Sequence, residues 1–343
     1  MPARWFRYIV CRNFYCKSGV KTKRIMGAVD SVDLRAIEKL KRDMGANLME
    51  ALEDPETLEV MLNPDGKLWR EKFGQPMFCM GTMPVQRTKT ILQTIAGFHK
   101  KIIDHNSPFL ECELPIDGSR FAGQLPPLVA GPTFAIRKKA SRIFLLDEYV
   151  DKGVMTKAQA DFICRAIAAH KNILVIGGTG SGKTTLLNAI IAEIVRQFPD
   201  ERICIIEDTG ELQCAAQNFV QYHTTVNVTM TDILRLILRM RPDRIFVGET
   251  RGPEALDMLD AWNTGHEGGA ASLHSNNTLS ALTRLRSLIS RNPFAPREIE
   301  PVIGEAVNVI VQISKTSEGR RIKEIREIQG YENGEYISRL IAA

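Results

Sequence analysis

Gly177-Gly178-Thr179-Gly180-Ser181-Gly182-Lys183-Thr184 spells GxxxxGK[ST] in full. It follows the short apolar run Asn172 to Ile176 and opens a stretch with helical spacing at Lys183. That strand–loop–helix order decides the fold class of this part of the chain. Four glycines let the backbone wrap until its N–H groups converge on a phosphate. The helix that follows adds further donors and its positive dipole end. Lys183 supplies a cation to the β- and γ-phosphates, and the Thr184 hydroxyl is a candidate Mg²⁺ ligand. The expected nucleotide contacts are therefore Gly177, Gly178, Thr179, Gly180, Ser181, Gly182, Lys183, Thr184 and Thr185.

Binding a nucleotide needs the loop; hydrolysing it needs carboxylates. The run Arg244 to Val247 reads as a strand leading into Gly248-Glu249. A carboxylate at the C-terminal end of a neighbouring strand faces the terminal phosphate, where it can orient and deprotonate water. Where such strands usually carry Asp, this one carries Gly248, so the base is assigned to Glu249. A second cluster, Glu207-Asp208 with Glu211 nearby, closes the run Arg202 to Ile206. Adjacent strand ends of a parallel sheet open onto one crevice. With Gly248 unable to help, Glu207 is the preferred candidate to hold Mg²⁺, directly or through water.

Outward from the loop, short apolar strands alternate with helical stretches starting near Thr156, Lys183, Thr231 and Pro253. This pattern predicts a mostly parallel sheet covered on both faces over residues 153–343. Past residue 305, three strands are expected at Val307 to Ser314, Arg321 to Gln329 and Glu335 to Leu340. Asn333-Gly334 forms the hairpin turn between the last two. Residues 27–140 read as a smaller α+β domain. Helical spacing runs over Asp30 to Met44, and again over Ile91, Leu92, Ile95, Phe98, Ile102 and Ile103. Strands are expected at Leu58 to Leu62, Lys67 to Phe73, Phe109 to Leu114, Arg120 to Leu125 and Thr133 to Lys138. Residues 141–152 are expected to be a linker or a short connecting helix.

Residues 1–26 stand apart as a basic, aromatic extension with no acidic residue before Asp30. Two readings are open, an anchor on anionic lipid and a loose tail ahead of a start at Met26; the tail is preferred. The composition, 44% apolar and 25% charged, is that of a globular protein and argues against global disorder. No apolar run approaches the ~20 residues of a membrane-spanning helix. A net charge of +5 over 343 residues is too small to mark a nucleic-acid binder. It is compatible with peripheral contact to a membrane surface. Seven cysteines without a CxxC pair argue against a zinc site and fit a reducing cytoplasm.

Three stretches accompany the loop in order: IEDTGEL (206–212), LRMRPDRIFVGETRG (238–252) and TGHEGGAASLHSNN (264–277). Together they resemble the Asp box, Walker B strand and His box of the type II/type IV secretion ATPase superfamily. The compact two-domain layout is similar to that of its conjugative and type IV secretion traffic ATPases. The resemblance covers most of residues 27–343 and is weaker in the first domain. It implies a RecA-like ATPase domain, ATP and Mg²⁺ as ligands, and a homohexamer at the cytoplasmic face of the inner membrane. Such a ring docks on inner-membrane components of a secretion or conjugation channel and powers pilus assembly or substrate transfer, without sequence-specific nucleic-acid binding. It further implies that His274 reports on the γ-phosphate, and that Arg120 and Arg137 reach the phosphates from the first domain. Arg251 is left open between a phosphate contact, a contact to a neighbouring subunit and a structural ion pair. Other readings are a type II secretion or type IV pilus motor, a nucleotide-gated scaffold with little turnover, and a nucleic-acid motor. A GTPase is set aside because no NKxD-type guanine signature occurs.

Overall fold

The structure is a computed structural model and describes residues 31–72, 75–139, 142–225, 227–316 and 319–341. The basic extension expected over residues 1–26 lies outside them. Two compact units divide the chain between Ser141 and Arg142.

In the first unit, α1 (Ser31–Glu53) is followed by β1 (Thr57–Leu62), β2 (Lys67–Lys72), β3 (Phe78–Thr82) and α2 (Val85–Phe98). Then come β4 (Phe109–Glu113), β5 (Arg120–Gln124) and β6 (Thr133–Arg137). The six strands form one sheet in the order β3-β2-β1-β6-β5-β4, each neighbouring pair antiparallel. Period-two alternation puts Val60, Leu62, Phe121, Phe134 and Ile136 on the face that packs against Leu40 and Leu48 of α1 and Ile91, Leu92 and Ile95 of α2. Helix α2 stops earlier than its apolar spacing predicts. Lys100 takes φ 54, Lys101 N–H turns back to the carbonyl of Ala96, and Ile102 is left 76% exposed. Only Ile103 of that pair reaches the core.

The second unit begins with α3 (Leu146–Asp151) and α4 (Lys157–Ala168). Within the segment expected to link the domains, α3 buries Leu146 and Tyr149 in this unit's own core. A capping box at Thr156 starts α4: the Thr156 hydroxyl accepts from Gln159 N–H and the Gln159 side chain accepts from Thr156 N–H. Next come β7 (Ile173–Ile176), α5 (Lys183–Gln197), β8 (Ile203–Glu207), β9 (Phe219–His223) and α6 (Met230–Ile237). The chain continues through β10 (Arg244–Thr250), α7 (Glu254–Asn263), β11 (Ala270–Leu273), α8 (Thr278–Ile289) and α9 (Ile299–Ala306). It ends with β12 (Val309–Thr316), β13 (Gly319–Glu332) and β14 (Glu335–Ile341).

These eight strands run in the order β14-β13-β12-β7-β11-β10-β8-β9. The six from β12 to β9 are parallel, and β13 and β14 are antiparallel additions at one edge. Helices α3, α4 and α5 pack on one face and α6 to α9 on the other. That double cover explains why β7, β8 and the first half of β10 are unbroken runs of buried residues. Asn333 (φ 53) and Gly334 (φ 86) both sit in the left-handed region, as a type I′ turn between β13 and β14 requires.

Candidate functional site

The loop and the acids around it stand at the C-terminal ends of parallel strands. The loop 177–182 leaves β7 and enters α5, whose N-cap Gly182 has φ 100. Gly177 has no room for a side chain: a Cβ there would stand 2.2 Å from the Ile313 carbonyl oxygen and 2.5 Å from Ser181 Oγ. Gly178, Thr179 and Gly180 are exposed along the crest, while Ser181 is buried and its hydroxyl has no hydrogen-bond partner among the described residues. A buried hydroxyl without a partner, in a turn built around glycines, fits an anion that brings its own acceptors. Thr184 and Thr185 are half-buried in the first turn of α5.

Lys183 is 92% buried, being only 8% exposed, and its ammonium folds across its own loop. Nζ donates to the carbonyls of Gly177 and Gly178, both at 3.0 Å, and lies 3.3 and 3.4 Å from the two ring nitrogens of His274. His274 follows β11 directly, and its Nε2 lies 2.6 Å from Glu249 Oε1. Glu249 is on β10, next to β11 in the sheet. Lys183, His274 and Glu249 thus form one continuous polar line, three of the residues expected to share the site. Glu249 Oε2 meets Arg251, at 2.6 Å from Nε and closer still to Nη2. Arg251 Nη1 also lies 3.5 Å from Asp208 Oδ2.

The carboxylates Glu207, at the end of β8, and Glu211, after it, divide differently from the sequence expectation. Glu207 is 3% exposed. Its Oε1 accepts from the backbone N–H groups of Glu211 and Leu212, both at 2.9 Å, and its Oε2 accepts from Gln221 Nε2 at 2.6 Å. Burial pushes its carboxyl above the usual range, against those three donors. Glu207 therefore holds the turn 207–212 in shape from inside. The carboxylate that stands beside Thr184 is Glu211, whose Oε2 accepts from the Thr184 hydroxyl at 3.2 Å. Among the described residues no set of three His, Cys, Asp or Glu side chains gathers to hold a metal alone. Thr184 and Glu211 are the pair that would hold Mg²⁺, the rest of its shell coming from phosphate and water.

Gly248 also has a structural reason. A Cβ at that position would stand 2.8 Å from Glu207 Cγ and 3.1 Å from its Oε1. The acid usual in a Walker B strand is excluded because the neighbouring strand's glutamate fills its space. Ser272 Oγ donates to the Gly248 carbonyl at 2.6 Å and ties β11 to β10 just ahead of Glu249.

Arg120 and Arg137 belong to the first unit, where they face each other directly across β5 and β6. Arg137 is also opposite Glu59 on β1, and Arg120 opposite Glu113 on β4. Two adjacent guanidinium groups on the open face of a sheet favour an anion between them. One basic residue of the second unit escaped the sequence reading. Arg320, on β13, donates from Nη2 to the Gly180 carbonyl at 3.4 Å, and its Cδ would stand 3.0 Å from a Cβ on Gly182. It is 140 residues from the loop, and no local pattern marks it.

The fold is shared with solved structures at low sequence identity. It is similar to the DotB ATPase of Legionella pneumophila, with TM-score 0.59 at 20% identity over 80% of this chain and 77% of that one. The pilus retraction motor PilT with bound ADP gives TM-score 0.59 at 18% identity, covering 87% of this chain and 83% of that one. The family model described as type II/IV secretion system protein matches residues 92–322, and the chain belongs to that family. Relatives include the conjugal transfer protein TrbB of Rhizobium radiobacter, 48% identical over 88% of this chain and 93% of that protein. A probable TrbB of Sinorhizobium fredii is 47% identical, covering 88% and 92%. The type IV secretion system protein PtlH of Bordetella pertussis is 36% identical, covering 68% and 77%.

Proposed function

We propose that the chain hydrolyses ATP with Mg²⁺ and uses the energy to drive conjugative type IV secretion, as a homohexamer at the cytoplasmic face of the inner membrane. The observation that carries this reading is the line Lys183–His274–Glu249, drawn from the start of α5 and the ends of β11 and β10, with Thr184–Glu211 beside it.

Loop N–H groups and Lys183 neutralise phosphate charge. Glu249 accepts the proton of the attacking water, and His274 links that carboxylate to Lys183. Bound Mg²⁺ would add charge neutralisation on the phosphates, held by Thr184 and Glu211. Arg120 and Arg137 add delocalised positive charge from the first unit. The conjugative role is favoured over a type II secretion or pilus motor by the two relatives named TrbB, which the chain matches over most of their length. Partners are then inner-membrane channel components. No helix among the described residues is long and apolar enough to cross a membrane, in keeping with peripheral contact. The test is steady-state ATP hydrolysis by the purified chain, with and without Mg²⁺, beside Lys183→Ala. Mg²⁺-dependent turnover lost in Lys183→Ala, with an unchanged circular dichroism spectrum, supports the reading. No turnover in the wild type, or equal turnover in the variant, overturns it.

A further inference from the structure

Glu249 Oε1 is buried, 2.6 Å from His274 Nε2 but without a hydrogen bond among the described residues, and Oε2 accepts from Nε and Nη2 of Arg251. A general base needs a lone pair aimed at water; with Oε1 buried, that oxygen is Oε2, from which Arg251 must withdraw before hydrolysis. His274 stands against the buried Oε1, with Lys183 on its other side. Arg251 differs. It donates to Glu249 and, from Nη1 at 3.5 Å, to a second carboxylate, Asp208.

The surroundings fix everything except that side chain. Glu254 Oε1 accepts from the backbone N–H groups of Arg251 (2.8 Å) and Gly252 (2.7 Å), so the main chain is held. Asp208 is oriented by the Thr224 hydroxyl, which donates to its Oδ1 at 2.9 Å. Beside the pair opens a cavity of about 370 Å³ lined by Asp208, Thr224, Thr229, Met230 and Glu254 together with Arg251. The guanidinium thus has a room, an anchored acceptor and a short path.

We propose that Arg251 is a positioning residue that restrains Glu249 between turnovers, and that Asp208 is the alternative acceptor that takes it when the carboxylate is needed. The inference rests on the ATPase reading above. It assigns Arg251 a restraining role, in place of a contact to the phosphate or to a neighbouring subunit.

An exposed ion pair is worth roughly 0.2–1 kcal/mol, equivalent to a change in rate of up to about five-fold. Arg251→Ala should therefore raise kcat roughly two- to five-fold and leave KM for ATP unchanged. Arg251→Lys keeps the charge without the side-on fork and should give a smaller rise. Asp208→Asn removes the charged acceptor, leaves Arg251 on Glu249, and should lower kcat by a similar factor. In the Arg251→Ala background, Asp208→Asn should have no effect, because both act through one side chain. Should Arg251→Ala lose its fold by circular dichroism, Arg251→Gln replaces it in the same cycle. A fall or no change in kcat on removing Arg251, or an Asp208→Asn effect that persists without it, overturns the inference. The ATPase reading fails separately, when wild-type turnover is absent or insensitive to Lys183→Ala.

Discussion

Gly248→Ala is expected to destabilise the second unit, although adding a methyl group to a strand glycine is ordinarily favourable by about 0.5–1 kcal/mol. The backbone is not the obstacle, since Gly248 is not among the residues with positive φ. The obstacle is Glu207, whose Cγ would stand 2.8 Å from the new Cβ. A flexible exposed glutamate would move away at little cost. This one is 3% exposed and accepts hydrogen bonds from Glu211 N–H, Leu212 N–H and Gln221 Nε2. Shifting it weakens two or three hydrogen bonds of about 1 kcal/mol each and adds overpacking of about 1 kcal/mol or more. After the strand gain is subtracted, the expected loss is about 2–3 kcal/mol. That corresponds to a Tm about 4–12 °C lower for a unit of this size. Turnover should fall as well, because the same turn carries Glu211. The assay is thermal and urea unfolding of Gly248→Ala, Glu207→Ala and the double variant. In the Glu207→Ala background the Cγ is gone, and Gly248→Ala should turn from a cost into the ordinary strand gain of about 0.5–1 kcal/mol. Equal cost in both backgrounds, or stability matching wild type in the single variant, would refute the steric account.

Three further outcomes are predicted. Glu211→Gln should weaken Mg²⁺-dependent turnover by about ten-fold or more, whereas Glu207→Gln should retain most of it and lose about 1 kcal/mol of stability; activity titrated against Mg²⁺ separates them, and the reverse ranking restores Glu207 as the metal ligand. Because burial raises the Glu207 pKa above its ordinary 4.5, the folded state binds that proton more tightly than the unfolded state. Its contribution is therefore fully present below pH 4.5 and is lost as pH rises through the raised value, so Glu207→Gln should gain stability relative to wild type as pH increases; denaturant unfolding of both proteins across that range checks the sign, and a constant difference would contradict it. Arg120→Ala and Arg137→Ala should lower turnover while affecting ADP affinity much less than Lys183→Ala, with lysine substitutions restoring only part; wild-type turnover in both alanine variants would mark them as ordinary surface charge.

The strand–loop–helix around Gly177 was legible because its residues are contiguous and each glycine answers a local need. Glu249 was legible for a similar reason, as the acid closing an apolar strand. Glu207 drew attention on the same grounds, yet β8 is buried along its whole length, so its last side chain is enclosed as well. Its partner Glu211 returns to the loop only through the turn after Gly210, a path set by tertiary packing. Strand β11 is drawn from Ala270-Ala271-Ser272-Leu273, small residues with weak strand preference, and earns its place by lying between β7 and β10. Arg320 reaches the loop through a sheet edge remote in sequence, and Arg120 and Arg137 become neighbours only through the β5–β6 register. Pairings of this kind are long-range facts that local spacing does not encode.

The most direct test of the account is Glu249→Gln, measured for both ATP binding and turnover. The amide keeps the shape of the side chain and cannot take the proton of the attacking water. The account predicts ATP affinity within about three-fold of wild type and turnover lower by ~10²-fold or more, the usual cost of removing a general base. Collapsed affinity with turnover per bound ATP intact would make Glu249 a structural residue and contradict the central claim.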